Sequence, residues 1–306
     1  MEIIKSISSL KKKQKKSIIT IGIFDGVHHG HQRIIKDVNK KARRAGLKSH
    51  LVTFYPHPVD FFGNKKISLT TLDEKIALLD ELGLEALSVI KFTKKFAQLL
   101  PGEFIRKYIL PLHPHEIIVG SNHTFGKNAS GNIELLKKFG KKYGFKVSIA
   151  KLKKKNKTNI NSTLIRELIL LGRIEKAEEF LGRKYSIFGK VVKGRGIGRK
   201  LGFPTANLKV SGNKLLPGPG VYLTKTLVKK KYYSSLTNIG FAPTFGKQNV
   251  LSVEVFLKDF KKNIYGTTLK VIFLKKIRDE KKFGSEEALK KQIKKDVSNL
   301  KEVKWR

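Results

Sequence analysis

An apolar run, Ile18–Phe24, leads into the turn Asp25-Gly26-Val27-His28-His29-Gly30-His31, and the stretch after it has helical periodicity. In Gln32–Ala45 the residues Ile34, Ile35, Val38 and Ala42 fall on one face. A strand feeding a helix through a tight glycine-bracketed turn is the repeating unit of a parallel α/β sheet. The same junction places His28 and His31 where free backbone N–H groups and the helix dipole favour an anion. Gly30, with no Cβ, is expected to let the backbone approach that anion closely. The imidazoles can donate hydrogen bonds to phosphate oxygens as charge builds up on them. The element reads as a nucleotide site.

Metal ligation by the two histidines is the rival reading. Such a site wants further Cys, His or acidic ligands nearby, and Asp25 is the only neighbouring carboxylate in a chain without cysteine. The absence of cysteine also excludes disulfides and thiolate chemistry, and it fits a reducing cytoplasm. No apolar run is long enough to span a bilayer, and the run at Ile18 continues into the histidine motif, unlike a cleaved signal. A net charge of +41 raises the possibility of nucleic-acid binding. Of the 65 basic residues, however, only 11 are Arg, and the lysines are dispersed, as in 151–157, 229–231 and 290–295. That pattern points to a solvated surface, so no specific nucleic-acid or membrane partner is expected.

Strand and helix patterns alternate through the first half: strands at 49–54, 86–92, 116–120 and 146–151, helices at 72–82, 101–108 and 132–143. This predicts a parallel sheet with helices on both faces, its ligands at the carboxyl ends of strands. Helical stretches at 164–171 and 174–181 follow. Beyond about residue 183 the runs 185–192, 220–228, 231–238, 250–257 and 268–276 are short and punctuated by Gly, Pro and Asn. They predict an antiparallel sheet or small barrel, closed by a terminal helix over 286–300. The boundary is placed between residues 183 and 184, giving domains 1–183 and 184–306.

Several further strings carry chemistry. Gly120-Ser121-Asn122-His123-Thr124-Phe125-Gly126 is a glycine-spaced loop after a strand. In Asn161-Ser162-Thr163-Leu164-Ile165-Arg166 two hydroxyls open a helix and an Arg follows one turn later. Helix capping explains the hydroxyls alone, whereas Arg166 makes the group suited to a triphosphate. Pro204-Thr205-Ala206-Asn207 reads as a rigid turn presenting a hydroxyl and an amide oxygen, hard donors that suit Mg²⁺.

Together with Thr-Phe-Tyr-Pro-His-Pro (53–58), Gly-Arg-Lys-Leu-Gly-Phe (198–203), Gly-Val-Tyr (220–222), Asn-Ile-Gly (238–240), Pro-Thr-Phe (243–245), Tyr-Gly (265–266) and Ile-Arg-Asp-Glu-Lys-Lys-Phe (277–283), these strings resemble the bacterial bifunctional riboflavin kinase/FMN adenylyltransferase family over essentially the whole chain. The resemblance implies an α/β nucleotidyltransferase domain followed by a small antiparallel β-barrel riboflavin kinase domain. It implies that riboflavin and ATP give FMN and ADP in the second, and that FMN and ATP give FAD and pyrophosphate in the first. By the same resemblance Glu254 is the base for the riboflavin hydroxyl, and Thr205 and Asn207 hold Mg²⁺ and phosphate beside Gly198. His28 and His31 act at the ATP phosphates in the adenylyl transfer, with Gly22, Phe24, Asp25, Gly30, Ser162, Thr163 and Arg166 as further phosphate contacts. Asn122, Phe125, Arg278 and Phe283 are the implied flavin contacts.

The chain departs from the family pattern at Ser121, which replaces an acid, at His123, which replaces an aromatic residue, and at Asn161, which replaces a serine. These departures fall in the adenylyltransferase strings, so if one activity has decayed it is expected to be the adenylyl transfer. A riboflavin kinase carrying a vestigial first module is the alternative within this family.

Overall fold

The computed structural model describes residues 1–7, 15–58, 67–150, 160–194, 196–242 and 250–302. The lysine run at 151–157 and the Pro243-Thr244-Phe245 string lie outside the described residues. The chain divides into two compact units, Met1–Ser162 and Thr163–Arg306.

In the first unit, strands β1 (Glu2–Ile4), β2 (Ser17–Ile21), β3 (Lys48–Tyr55), β4 (Ala86–Lys91), β5 (Pro114–Val119) and β6 (Lys146–Ile149) form one sheet in the order β1-β4-β3-β2-β5-β6. Every pairing in it is parallel. The connections are α1 (His29–Ala45), α2 (Leu72–Glu81), the short α3 (Lys94–Ala97) and α4 (Pro101–Phe104), and α5 (Ile133–Tyr143). The helix expected over 101–108 is widened: α4 opens into a π turn at Ile105–Ile109 and then a 3-10 turn at Leu110–Leu112.

Alternation along β2 divides the core. Ile18 packs with Ile34, Ile35, Val38 and Ala42 of α1. Ile19 and Ile21 join the opposite cluster with Phe104, Ile105 and Leu136. Helices therefore cover both faces, as the continuous apolar strands require. The edge strand β1, three residues long, is too short to show a period and escapes sequence reading.

In the second unit, α7 (Ile174–Leu181) follows α6 (Ser162–Leu170). These helices, placed in the first module by the sequence boundary at 183/184, fall within the second compact unit apart from Ser162. Next come β7 (Ser186–Val192), the short α8 (Ile197–Lys200), β8 (Thr205–Val210), β9 (Gly220–Val228), β10 (Lys231–Ala242), β11 (Val250–Leu257), β12 (Thr268–Arg278) and α9 (Glu286–Ser298). The six strands close an antiparallel barrel in the order β10-β11-β8-β7-β12-β9. Its interior holds Tyr222, Ile239, Val255, Val271 and Phe273, all at most 0% exposed. Buried hydroxyls there satisfy one another: Thr224 Oγ1 lies 2.8 Å from Ser235 Oγ and 2.9 Å from Thr237 Oγ1.

One expectation is corrected. Thr205-Ala206-Asn207 is the start of β8 rather than a turn. Pro204 stands just before the first strand residue, where its missing N–H costs the ladder nothing.

Candidate functional site

In the first unit the site grows from the carboxyl end of β2. The strand stops at Ile21, three residues earlier than the apolar run suggests, and Gly22 N donates to the Val52 carbonyl at 3.0 Å as the chain leaves the sheet. The next carbonyl, that of Ile23, accepts from Lys75 Nζ at 2.7 Å and from Thr53 Oγ1 at 3.1 Å. The turn beyond is bent into the left-handed region at Phe24 (φ 52°), Gly26 (φ 82°) and Val27 (φ 41°). Non-glycine residues persist there only where their surroundings over-determine the backbone.

His28 is the N-cap of α1, which begins at His29, three residues before the predicted start. Its Nδ1 accepts from the His31 N–H at 3.4 Å, and the two imidazoles stack at 3.7 Å with an 18° tilt. The Phe24 ring lies 4.7 Å from His31. A Cβ on Gly30 would come within 3.1–3.2 Å of the His28 ring, and one on Gly22 within 3.0 Å of the Phe24 ring. These glycines make room for side chains of the motif itself, Gly30 for His28 and Gly22 for Phe24.

Asp25, expected at the phosphate, also has partners within the protein. Asp25 is buried, and its carboxylate accepts from Leu69 N–H (3.0 Å), Thr70 N–H (3.3 Å) and Thr70 Oγ1 (3.4 Å). It anchors the segment before α2 against the turn. The Ser162 hydroxyl donates to the Asp25 carbonyl at 2.9 Å, tying the last residue of this unit to the same turn. Thr163 is exposed and Arg166 half-buried in the first turn of α6.

The loop after β5 closes through a two-way backbone bridge between Phe125 and Gly131. Asn122 is exposed, while Phe125 is buried against Phe104 (5.9 Å) and His123 (5.8 Å). Burial pushes the His123 imidazole down to about 4, and its Nε2 has no hydrogen-bond partner among the described residues.

In the second unit Thr205 and Asn207, two apart on β8, share one face. Glu254 on β11 pairs with Asn207 on one side and with Asn238 of β10 on the other. Thr205 Oγ1 donates to Glu254 Oε2 at 3.3 Å. Glu254 does face away from the barrel core, between the buried Val253 and Val255. Outward here means into a cavity of about 300 Å³ lined by Gly198, Phe203, Thr205, Asn207, Asn238, Glu254, Phe256, Arg278 and Phe283, with Leu289, Ile293 and Asp296 from α9. A second cavity, about 600 Å³, is lined by Arg199, Pro204, Ala206, Lys261, Lys262 and Tyr265. Thr205 lines both.

A Cβ on Gly194 would run into the Asn207 amide, and one on Gly198 would stand 2.5 Å from the Phe203 carbonyl and 3.2 Å from Thr205 Oγ1. Arg278, expected at the flavin, is gripped by α9: Nε and Nη2 donate to Asp296 at 3.0 and 2.8 Å. Its guanidinium also lies 5.7 Å from the centre of the Phe283 ring.

Family comparisons agree with this two-part geometry. A family model described as FAD synthetase matches residues 10–164, and one described as riboflavin kinase matches residues 181–304. A bifunctional riboflavin kinase/FMN adenylyltransferase from Buchnera aphidicola subsp. Schizaphis graminum is 39% identical over 98% of each chain. The chain belongs to the bifunctional riboflavin kinase/FMN adenylyltransferase family. Another member, from Bacillus subtilis, is 37% identical over 94% of this chain and 92% of its own. A crystal structure from Streptococcus pneumoniae, described as a macrolide-efflux protein, is 31% identical with a TM-score of 0.88 and covers 99% of both chains. The shared architecture is what that likeness shows. Among the described residues no helix is long and apolar enough to cross a membrane.

Placed in this family, the chain reveals residues outside its quoted strings. Lys75, together with Thr53 of the 53–58 string, holds the histidine turn, and Phe256 and Asp296 line the barrel cavity beside Asn238 of the 238–240 string. Lys75 carried a signal: it lies four residues before the fully buried Leu79, on the face of α2 where an apolar residue is expected.

Proposed function

We propose that the chain carries a flavin through two successive ATP-dependent steps, with residues 184–306 forming FMN and ADP from riboflavin and residues 1–183 forming FAD and pyrophosphate from FMN. The observation that carries the first step is the position of Thr205, shared by both cavities and 3.3 Å from Glu254. The cavity walled by Phe203, Phe256 and Phe283 suits an isoalloxazine ring, and the one bordered by Arg199, Lys261 and Lys262 suits a nucleotide. Glu254 then accepts the proton of the riboflavin 5′-hydroxyl as its oxygen attacks the γ-phosphorus of ATP and ADP departs.

Among the described residues no three His, Cys, Asp or Glu side chains gather as a metal cage. Thr205 and Asn207 instead offer hard oxygens beside Glu254, which fits Mg²⁺ arriving with the nucleotide and keeping phosphate and water ligands. A cation held there would offset charge on the transferred phosphoryl group.

In the other step a phosphate oxygen of FMN attacks the α-phosphorus of ATP and pyrophosphate leaves. The N-terminus of α1 with His28 and His31 stabilises the charge that builds up there, and Ser162, Thr163 and Arg166 serve the triphosphate. Asn122 and Phe125 are assigned to the flavin of this step, and the enzyme is assigned to the cytoplasm. Positioning and charge neutralisation supply the rate, with no covalent enzyme intermediate.

The test is chromatography of products from riboflavin, ATP and Mg²⁺. Wild type is expected to give FMN and then FAD, His28→Ala to stop at FMN, and Glu254→Ala to leave riboflavin unchanged. No flavin product from wild type refutes the reading, and FMN alone favours a kinase with a vestigial first module.

A further inference from the structure

The histidine turn is held from behind by a charged side chain that the two reactions do not use. Lys75, on the first turn of α2, is 5% exposed, and its ammonium donates to the Ile23 carbonyl at 2.7 Å. Two residues further along, the Asp25 carboxylate receives Leu69 and Thr70 from the segment that leads into the same helix. Helix α2 is itself fixed at this end, because Thr71 and Glu74 form a reciprocal capping box. Ile23 and Asp25 are therefore both held by one short stretch, Leu69–Lys75, and the strained residues Phe24 and Val27 sit between or beside them. His28 follows directly.

A lysine this deeply buried is rare unless paired, and a packing role alone would be filled better by an apolar side chain. Resting on the adenylyl-transfer reading of this unit, we propose that Lys75 is the positioning residue that holds the histidine turn in its reactive form, through the Ile23 carbonyl and the Asp25 carboxylate. It touches neither phosphate nor flavin. Its charge keeps the strained turn closed, so that the cap of α1 and the stacked imidazoles present one geometry to the triphosphate.

The charge is a titratable one. Burial brings the Lys75 ammonium down to about 8, against the opposing pull of Asp25. Its own helix also carries Asp73, Glu74, Asp80 and Glu81, and the turn it braces leads into His28 and His31. Among the described residues, Asp25 is the charge that acts on it. As pH rises through about 8 the amine becomes neutral, its attraction to Asp25 is lost and the turn loosens.

The experiment uses the full chain and follows FAD formation from FMN separately from FMN formation from riboflavin, between pH 6.5 and 9.5. For wild type, kcat for FAD formation is expected to fall above pH 8 while the kinase rate does not follow it. Lys75→Met is expected to lower that kcat about ten- to a hundredfold at pH 7, as misplaced catalytic groups do. KM for FMN and ATP should stay within about twofold, the kinase rate should be unchanged, and the alkaline limb should disappear. Lys75→Arg, which keeps the charge, is expected to move the limb above pH 9 and provides the answer if the Met variant fails to fold. A wild-type kcat in Lys75→Met, or a limb near pH 8 that survives either substitution, overturns the proposal. No FAD from wild type at any pH overturns the adenylyl-transfer reading, and this proposal with it.

Discussion

Arg278 at the end of β12 and Asp296 on α9 form a bidentate ion pair, with Nε and Nη2 donating at 3.0 and 2.8 Å to a carboxylate that is 4% exposed. Gln292, one turn earlier, donates to the other oxygen at 2.8 Å. This pair fixes α9 at the barrel cavity, which Glu254 also lines. Removing one partner strands a charge and costs about 3 kcal/mol. Asp296→Ala should therefore lower the melting temperature and raise KM for riboflavin several-fold, leaving FAD formation from FMN unchanged. Steady-state kinetics on the two substrates separate these effects. An unaltered riboflavin KM would show that α9 does not shape the flavin cavity.

Gly198 tests the start of β8. A Cβ there meets the Phe203 carbonyl at 2.5 Å, a backbone atom that cannot move without shifting the residues leading to Thr205. Gly198→Ala is expected to reduce the kinase kcat by about tenfold or more, since small displacements of reacting groups are costly. The measurement is FMN formation at saturating riboflavin. Full activity would mean that the approach to Thr205 is more pliant than its packing indicates.

His123 is predicted to be a liability in the loop after β5. Its Nε2 is buried without a partner among the described residues, and an unsatisfied buried polar atom costs about 1–3 kcal/mol. His123→Phe should raise the melting temperature of the first unit and lower KM for FMN about threefold by restoring an apolar stacking face. A higher KM in the variant would show instead that the imidazole serves the substrate.

Acid should destabilise the first unit through two histidines. Burial lowers both His50 and His123 to about 4, so the folded forms stay neutral while the unfolded chain binds protons below about 6.5. The unfolded state then holds more protons, and stability present above pH 6.5 is lost as pH falls toward 4. Between pH 7 and pH 5 the loss is about 2 kcal/mol for each histidine. Urea unfolding at the two pH values measures it, and His123→Phe should remove roughly half of the difference. Equal midpoints at both pH values would contradict the burial of these rings.

Fold class and the chemistry-bearing strings were legible in the order of the residues. Apolar strand runs alternating with amphipathic helices specify a parallel sheet covered on both faces, because each period reports which side of an element is buried. The strings around His28, Thr205 and Phe283 are contiguous, and contiguous residues are what a sequence displays. Most element limits followed from the same periods, as with α7 at Ile174–Leu181 and β9 at Gly220–Val228.

What each side chain answers to was set by the folded chain. Asp25 sits inside the nucleotide string, yet it is spent on the backbone of Leu69 and Thr70, 44 and 45 residues away. Arg278 sits inside a kinase string, yet Asp296 holds it from α9. Thr205-Ala206-Asn207 became a strand because β7 and β11 supplied ladder partners that a local reading of proline cannot see. Glu254 looked like an ordinary outward residue on a strand until the register set it between Asn207 and Asn238 beneath α9. Local periodicity encodes burial, whereas hydrogen-bond partners and strand register depend on distant segments that meet only once the chain is folded.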